Sequence, residues 1–268
     1  MGTPDTSSTE CSLSLCVLAS GSKGNAIYVS DGRTAILVDA GLSGIEIAKR
    51  MQAAGLRMET LKAIVVSHEH SDHVRGVGVL ARRHHLPVYI TRATASAAAP
   101  QLGRIDEMKH FEIGRTFFIE DMAIHPFATS HDAHESSGFT INRNGHKIGI
   151  ATDLGIATGM VKNHLKACSL VVLEANHDPR MLIEGPYPWP LKQRIKSRSG
   201  HLSNQDSCEL LSEIKHEGLC HVILAHLSDT NNTPEKALQA VLQAVDEHDR
   251  FRLHVACQDS CSDLVVLR

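Results

Sequence analysis

Three histidines and two acidic residues lie within six consecutive positions of the sequence, from His68 to His73. They follow the apolar run AIVVS (63–67), which predicts a strand. His68 and His70 are two residues apart just beyond this strand, so their side chains point to the same side and can bind one metal ion. Asp72 and His73 follow where the chain turns into a predicted helix, and they can serve a second ion nearby. The loop therefore predicts one side of a two-metal site.

A metal ion is the usual reason for such a cluster. Imidazole rings and carboxylates at close quarters repel or desolvate one another unless a cation compensates for them. Nitrogen and carboxylate ligands together suit Zn²⁺, Mn²⁺ or Fe²⁺. The alternative is a solvated polar loop in which the histidines gather by chance.

The other wall of such a site is predicted at the ends of later strands. His131, Asp153 and His226 each follow an apolar run. A single histidine at a strand end is more often a hydrogen-bonded structural residue, but together with the loop these three complete two coordination shells. Asp39, at the end of AILVD, is a further candidate. It is a metal ligand or, as we prefer, an acceptor that fixes the tautomer of a liganding histidine.

The composition is that of an ordinary globular protein. The 268 residues are 42% hydrophobic and 21% charged, with a net charge of −3. No apolar run approaches the roughly 20 residues that cross a bilayer, and the first residues do not resemble a secretory signal. The seven cysteines are odd in number and form no CxxC pair, which favours reduced thiols and a cytoplasmic protein.

The arrangement of predicted elements favours an α/β fold without an internal repeat. The first half is interpreted as mostly strands and hairpins, and the second half as alternating strands and helices. The stretch after PVYI (87–90) is interpreted as less regular, Asn144-Gly145 as a tight hairpin turn, and the end of the chain as a final β pair. No G-x-G-x-x-G follows the first strand, which excludes a Rossmann fold. We predict a disordered tail over 1–12 and one domain over 13–268, a four-layer αββα sandwich of two mixed sheets flanked by helices.

A two-metal site of this kind predicts hydrolysis. Two ions about 3.5–4 Å apart can share a hydroxide, lower its pKa and hold it in line with an electrophile. Asp72, next to that hydroxide, is expected to accept its proton or to orient it. The ligand types leave open whether the bond is a phosphodiester, a thioester, a lactone or a lactam.

Two further stretches favour a phosphodiester. In SGSKGN (20–25), Ser22, Lys23 and Asn25 belong to a turn whose amides and ammonium can hold a phosphate, although a plain hairpin turn is an equal alternative. In YPWPLKQRIKSRSG (187–200), basic residues such as Lys192 and Arg194 follow Trp189. Basic residues track a nucleic-acid backbone and aromatic rings stack on bases. The alternative is a solvated helix face anchored by its tryptophan.

Longer motifs resemble a known family. SHEHSDH matches the HxHxDH signature of the metallo-β-lactamase superfamily, and the resemblance extends over nearly the whole chain from about residue 13. The stretches LASGSKGNAIYV, SHEHSDHVRGVGVLARRHHLPVYIT, LEANHDPRML, GPYPWPLKQRI, GHLSN and AHLSDTNN resemble its YycJ (WalJ) group more narrowly. The superfamily has the αββα fold.

The resemblance implies a ligand set and an activity. One metal ion would be held by His68, His70 and His131. The other would be held by Asp72, His73 and His226, with Asp153 bridging the two. The group implies a metal-dependent nuclease, exonucleolytic on DNA.

The resemblance also concerns two further histidines and the assembly. His201 resembles the histidine that nuclease branches place against the scissile phosphate, where it would stabilise the transition state or protonate the leaving oxygen. His177 is a weaker candidate for the same role and is otherwise a structural residue at the start of a helix. RNA-processing members carry an inserted domain for which we find no segment here. Substrate entry is therefore expected to be more open, or completed by a neighbouring subunit in a homo-oligomer.

Two rival functions remain. A small-molecule hydrolase with the same metals would act on a thioester, a lactone or a cyclic phosphodiester, and it predicts that residues 187–201 close over a compact pocket. A metal-stabilised binding or signalling module would turn over nothing. Nuclease activity with and without a chelator distinguishes the three.

Overall fold

The computed structural model describes residues 12–267, which form two seven-stranded sheets. The first sheet has the spatial order β14-β1-β2-β3-β4-β5-β6, with β1 (Ser14–Ala19), β2 (Ala26–Ser30), β3 (Ala35–Val38), β4 (Leu61–Val65), β5 (Val88–Ile90), β6 (Met108–His110) and β14 (Val265–Val266). The second has the order β13-β12-β11-β10-β9-β8-β7, with β7 (Phe117–Ile119), β8 (Met122–Ala128), β9 (Ser137–Arg143), β10 (His146–Ala151), β11 (Leu170–Glu174), β12 (His221–Ala225) and β13 (Arg252–Val255).

The helices connect the strands and cover the sheets. They are α1 (Gly44–Ala53), α2 (Ser71–Val74), α3 (Val77–His84), α4 (Arg92–Leu102), α5 (Gly159–Leu165), α6 (Pro179–Glu184), α7 (Trp189–Ile195), α8 (Asn204–Ile214) and α9 (Pro234–Val241). Within residues 12–267 none of them is both long and apolar enough to span a bilayer.

The two sheets have the same internal plan. In the first, β14, β1, β2 and β3 pair antiparallel, and β3, β4, β5 and β6 pair parallel. In the second, β7, β8, β9 and β10 pair antiparallel, and β10, β11, β12 and β13 pair parallel. Parallel strands end at the same edge of their sheet, so each sheet offers one edge where several carboxyl ends meet.

The burial pattern explains the four layers. Strand β3 is buried on both faces: Ile36 and Val38 belong to the core between the sheets, whereas Leu37 packs with α1 and α3 on the outer side. In β11, Val172 faces the inner core and Leu173 packs with α8. Such strands carry continuous apolar runs because neither face meets water. The predicted αββα sandwich is confirmed.

Several local predictions are settled by the structure. Asn144 and Gly145, with φ of 50° and 81°, form the predicted turn between β9 and β10. The prediction of an irregular stretch after residues 87–90 was wrong, because helix α4 lies there. The helix begins after Thr91, whose hydroxyl accepts from the Thr94 amide, and it runs through an alanine-rich segment despite Pro100.

The predicted final β pair was also wrong, since β13 extends the second sheet while β14 joins β1 in the first. The predicted tail over 1–12 lies, except for Ser12, outside the described residues. One domain over 13–268 stays a prediction.

Candidate metal centre

The carboxyl ends of the parallel strands bring five polar side chains to one place. Asp39 follows β3 and His68 follows β4 in the first sheet, while Asp153 follows β10, Glu174 ends β11 and His226 follows β12 in the second. Asp39, Asp153 and His226 have positive φ angles of 61°, 57° and 57°. A left-handed backbone costs a residue other than glycine about 1–3 kcal/mol, and such strain is typical of functional sites.

Three histidines form the first half of the centre. His68 Nε2 lies 3.1 Å from His70 Nδ1, which lies 3.2 Å from His131 Nε2. His131 Nδ1 donates to the Gly200 carbonyl oxygen at 3.1 Å, so its Nε2 is left with a lone pair. Three ring nitrogens within 4.8 Å of one another can therefore hold one metal ion.

Two histidines and two carboxylates form the second half. His73 Nε2 lies 3.6 Å from Asp72 Oδ2 and 3.4 Å from Asp153 Oδ2. His226 Nε2 lies 3.7 Å from Asp72 Oδ2 and 3.5 Å from Asp153 Oδ1. Asp153 Oδ1 is also 3.8 Å from His131 Nε2, so this carboxylate lies between the two halves.

Unpaired buried atoms test whether a cation fits here. Among the described residues, His226 Nε2 and Asp153 Oδ2 are fully buried and have no hydrogen-bond partner. Buried polar groups are normally paired, and an exception indicates a missing ion or water. Divalent cations fit, because the unpaired Asp153 Oδ2 lies 3.4 Å from His73 Nε2, and the unpaired His226 Nε2 lies 3.5 Å from the other oxygen of Asp153.

Asp39 orients histidines in both halves. Its Oδ2 accepts from His73 Nδ1 at 2.7 Å and from Ser67 Oγ at 2.7 Å. Ser67 Oγ lies 2.9 Å from His68 Nδ1 and, as its proton goes to Asp39, accepts from that nitrogen. Both rings thus carry their proton at Nδ1 and present Nε2 to a metal ion.

Glu174 has the same function in the second sheet, and we did not predict it from the sequence. This fully buried carboxylate accepts through Oε1 from His201 Nδ1 at 2.8 Å and from His226 Nδ1 at 3.0 Å. Its Oε2 accepts from the amides of Leu154 and Leu202, both at 3.1 Å. The signal was present, because Glu174 ends the apolar run SLVVLE in the way that Asp39 ends AILVD.

The electrostatics differ between the two halves. Burial and the neighbouring histidines hold the pKa of His68 well below its ordinary value, which keeps the ring neutral. Burial also opposes the charging of His73, but Asp153, Asp39 and Asp72 outweigh it and raise its pKa to about 9. Burial is likewise outweighed at His226, whose pKa is raised well above its ordinary value by Asp153, Asp72 and Glu174.

The same charges act on the carboxylates. Burial alone would raise the pKa of Asp72, but His73 and the contact with His226 outweigh it and hold the pKa well below its usual range. Without a metal ion, protons on His73 and His226 therefore neutralise part of the acidic half. A divalent cation would replace those protons.

The centre forms the floor of an open pocket of about 340 Å³. Part of its wall comes from α7 and the residues before it. The lining residues are Ser22, His70, Ser71, Asp72, His131, Asp132, Asp153, Asn176, Tyr187, Leu191, Arg194, Ile195, Gly200, His201, His226 and Ser228. The pocket thus joins the metal-binding candidates to the stretch 187–201.

The structure brings some of the predicted substrate-binding residues to this pocket. Ser22 and Arg194 line it. Lys23, next to Ser22, is 67% exposed and forms an ion pair with Asp229. Asn25 is buried instead, with its Nδ2 3.1 Å from His73 Nε2, so it contacts the loop of residues 68–73 rather than open solvent.

Three other predicted residues are not among those that line the pocket. Trp189 is 60% exposed on the surface of α7, which also contradicts the alternative that it anchors this helix. Lys192 is buried and donates to the carbonyl oxygens of Ile183 and Gly185 at 2.7 Å each, so its ammonium is not available to a substrate.

His177 is also buried, with an unpaired Nδ1, and it precedes α6 rather than lying in the helix. Burial lowers its pKa to about 4 and favours the neutral ring. Its backbone forms an isolated bridge with Ser203, and its part in binding or structure stays a prediction.

Known proteins resemble the chain in sequence and in structure. A model of the β-lactamase superfamily domain matches residues 34–227. The exodeoxyribonuclease YycJ of Bacillus anthracis is 39% identical over 249 residues, which cover 90% of this chain and 94% of the relative. The exodeoxyribonuclease WalJ of Streptococcus pneumoniae is 36% identical over 245 residues, 90% of this chain and 91% of the relative.

Among solved structures, the metallo-β-lactamase fold protein YhfI of Bacillus subtilis superposes with a TM-score of 0.72. The match covers 94% of this chain and 99% of the other at 16% identity. At this identity the likeness concerns the fold alone.

Proposed function

The chain belongs to the YycJ/WalJ group of the β-lactamase superfamily, and from this premise we propose that it is a two-metal-dependent exonuclease that hydrolyses DNA phosphodiester bonds. The observation that carries the proposal is the position of Asp153. Its carboxylate lies between a three-histidine half and a mixed histidine–carboxylate half, with one oxygen buried and unpaired. Such an arrangement suits two cations that share one ligand.

The residues divide into two ligand sets. His68, His70 and His131 would hold one ion, and Asp72, His73 and His226 the other, with Asp153 shared. When bound, two such ions lower the pKa of a shared water from 15.7 towards about 7 and neutralise charge that develops on the phosphate oxygens. Asp39 and Glu174 keep the histidines in the tautomer that this binding needs.

His201 and Asp72 are the groups that would move protons. Both line the pocket. His201 donates from Nδ1 to Glu174, so its Nε2 is the nitrogen left to donate a proton to the leaving oxygen. Glu174 would stabilise the ring when it is charged. Asp72 accepts the proton of the attacking water or orients that water.

DNA is favoured as the substrate by the relatives and by the local charge. Both curated relatives are named exodeoxyribonucleases. The pocket edge carries Arg194 and, next to Ser22, Lys23, although the net charge of the chain is −3. Local cations near a metal centre can bind a polyanion despite a negative total charge.

One observation favours a second candidate, the small-molecule hydrolase. Residues of 187–201 do line a pocket of about 340 Å³, which lies within the size range of small-ligand sites. A cyclic or short phosphodiester would use the same ligands and the same His201.

A labelled-substrate assay tests the proposal against this candidate. Metal-free protein is mixed with end-labelled single- and double-stranded DNA and RNA, and in parallel with a chromogenic phosphodiester, with Mn²⁺ or Zn²⁺ added back. We expect metal-restored shortening of DNA from an end. Turnover of the small ester without shortening of any nucleic acid would favour the second candidate.

A further inference from the structure

Two ion pairs with exposed basic side chains lie in or next to the wall of the pocket. Arg194, on α7, contacts Asp132 through its Nε, and both residues line the pocket. Lys23 Nζ lies 2.6 Å from Asp229 Oδ2; neither residue lines the pocket, but each directly follows one that does, Ser22 or Ser228. The two cations at this edge thus each have an acidic partner.

Both acids are carried by loops that hold metal-binding candidates. Asp132 directly follows His131, and Asp229 is three residues after His226. The basic partners come from separate parts of the chain, Lys23 from the turn between β1 and β2 and Arg194 from α7. Each ion pair therefore joins a basic side chain to a loop that carries a metal-binding candidate.

We propose that Lys23 and Arg194 form two subsites for the phosphates on either side of the scissile bond, and that Asp229 and Asp132 hold these cations until a substrate phosphate replaces the carboxylate. The proposal rests on the proposed function and adds to it the recognition of a chain with several consecutive phosphates. Two such subsites would be filled together by a substrate with consecutive phosphates, so the pairs would favour a polymer.

The exchange is feasible because both cations are open to water. The side chains of Lys23 and Arg194 are 67% and 60% exposed, and exposed ion pairs are weak. A guanidinium forms charge-assisted, paired hydrogen bonds with phosphate as readily as with carboxylate. The acids thus lower the affinity for every polyanion while they keep the cations in place.

Neutralising the acids is the direct test. Asp132→Asn and Asp229→Asn are made in the full-length, metal-loaded protein, and binding of a short DNA with phosphorothioate ends is followed by fluorescence anisotropy. We expect each variant to bind DNA about 3–10-fold more tightly. The slope of log affinity against log salt concentration, measured from about 50 to about 200 mM salt, should be steeper by about one unit. Metal content is measured for each variant, because Asp132 adjoins His131.

Two controls separate the ion pairs from a general charge effect. Asp106→Asn removes an exposed acid of the same kind, paired with Arg104 at 3.0 Å and outside the pocket lining, and should change affinity little. The double variant Asp132→Asn/Arg194→Ala should lose the gain, because no cation remains to be released.

The outcomes are distinct. Gains no larger than that of Asp106→Asn, or a gain that persists without Arg194, overturn the subsites while leaving the nuclease intact. If the metal-loaded parent neither binds nor cleaves DNA, both the subsites and the proposed function are wrong.

Discussion

The carboxylate of Glu174 lies 2.8 Å from Nδ1 of His201, the pocket histidine to which we assign the leaving-group proton. The same oxygen lies 3.0 Å from Nδ1 of His226, a metal-binding candidate. One fully buried acid therefore connects the proposed metal site with the proposed proton donor.

Replacing this acid should weaken both functions. Glu174→Gln keeps the size of the side chain but removes its charge, so neither ring is held as firmly in its tautomer. We expect metal affinity to fall about 10–100-fold. Turnover of the fully metal-loaded variant should also fall. Glu213→Gln, at an exposed ion pair with Lys162, is the control, and an unchanged metal affinity in Glu174→Gln would contradict the account.

Removing one ligand from each part of the centre should remove metal and activity together. His68→Ala takes a ligand from the three-histidine half, and Asp153→Ala takes the shared carboxylate. Metal content by elemental analysis is expected to fall in both variants. His254→Ala, on β13, should leave it unchanged. Full metal content in both site variants would mean that the ligands are assigned wrongly.

Metal binding should release protons in a pH-dependent way. The pKa of His73 is raised to about 9 in the metal-free protein, since three carboxylates outweigh the effect of burial. Below that pH the ring is charged and Nε2 must lose its proton to bind a metal ion, whereas above it Nε2 is already free and only the Nδ1 proton remains. Calorimetry in buffers of different ionisation enthalpy should therefore show proton release that declines as the pH rises through about 9. A release that stays constant across this range would show that His73 is already neutral.

His201 should matter for turnover and not for metal content. It lines the pocket and its Nδ1 is bound by Glu174. We expect His201→Ala to keep its metal ions while turnover falls by about 10²-fold or more, a typical loss for a general acid. Elemental analysis and single-turnover kinetics measure the two effects separately. If His201→Ala is as active as the exposed-site control His248→Ala, another group must donate the proton to the leaving oxygen.

Lys192 should contribute to stability rather than to binding. Its buried ammonium donates to the carbonyls of Ile183 and Gly185. Lys192→Met leaves both acceptors unpaired, and we expect the free energy of unfolding to fall by about 1–3 kcal/mol. Lys196→Met, on the exposed end of the same helix segment, is the matched control for denaturant titration. If the two variants are equally stable, the ammonium of Lys192 does not stabilise the fold and this prediction is wrong.

The sequence predicted which side chains of the candidate centre lie close together better than it predicted the residues around them. His68, His70, Asp72 and His73 could be found because they are local, and the later candidates because each follows an apolar run. Glu174 was missed because its partners, His201 and His226, lie 27 and 52 positions away and meet it only when the parallel strands align.

The charge pattern of α7 misled the sequence interpretation for a related reason. Lys192 and Arg194 are two residues apart and were predicted to act together, but on a helix such residues point in different directions. Lys192 therefore turns inward to cap carbonyls, while Arg194 reaches the pocket. Helix α4 was missed because alanine-rich segments show little hydrophobic periodicity, and Pro100 normally indicates a break.

The most direct test of the account is a metal titration of the stripped protein, with release of label from end-labelled DNA recorded at each point. We predict no release without metal, and activity that reaches its plateau only when two equivalents of Mn²⁺ or Zn²⁺ are bound. Full activity in protein shown to hold no metal, or no cleavage in protein shown to hold two ions, would contradict it.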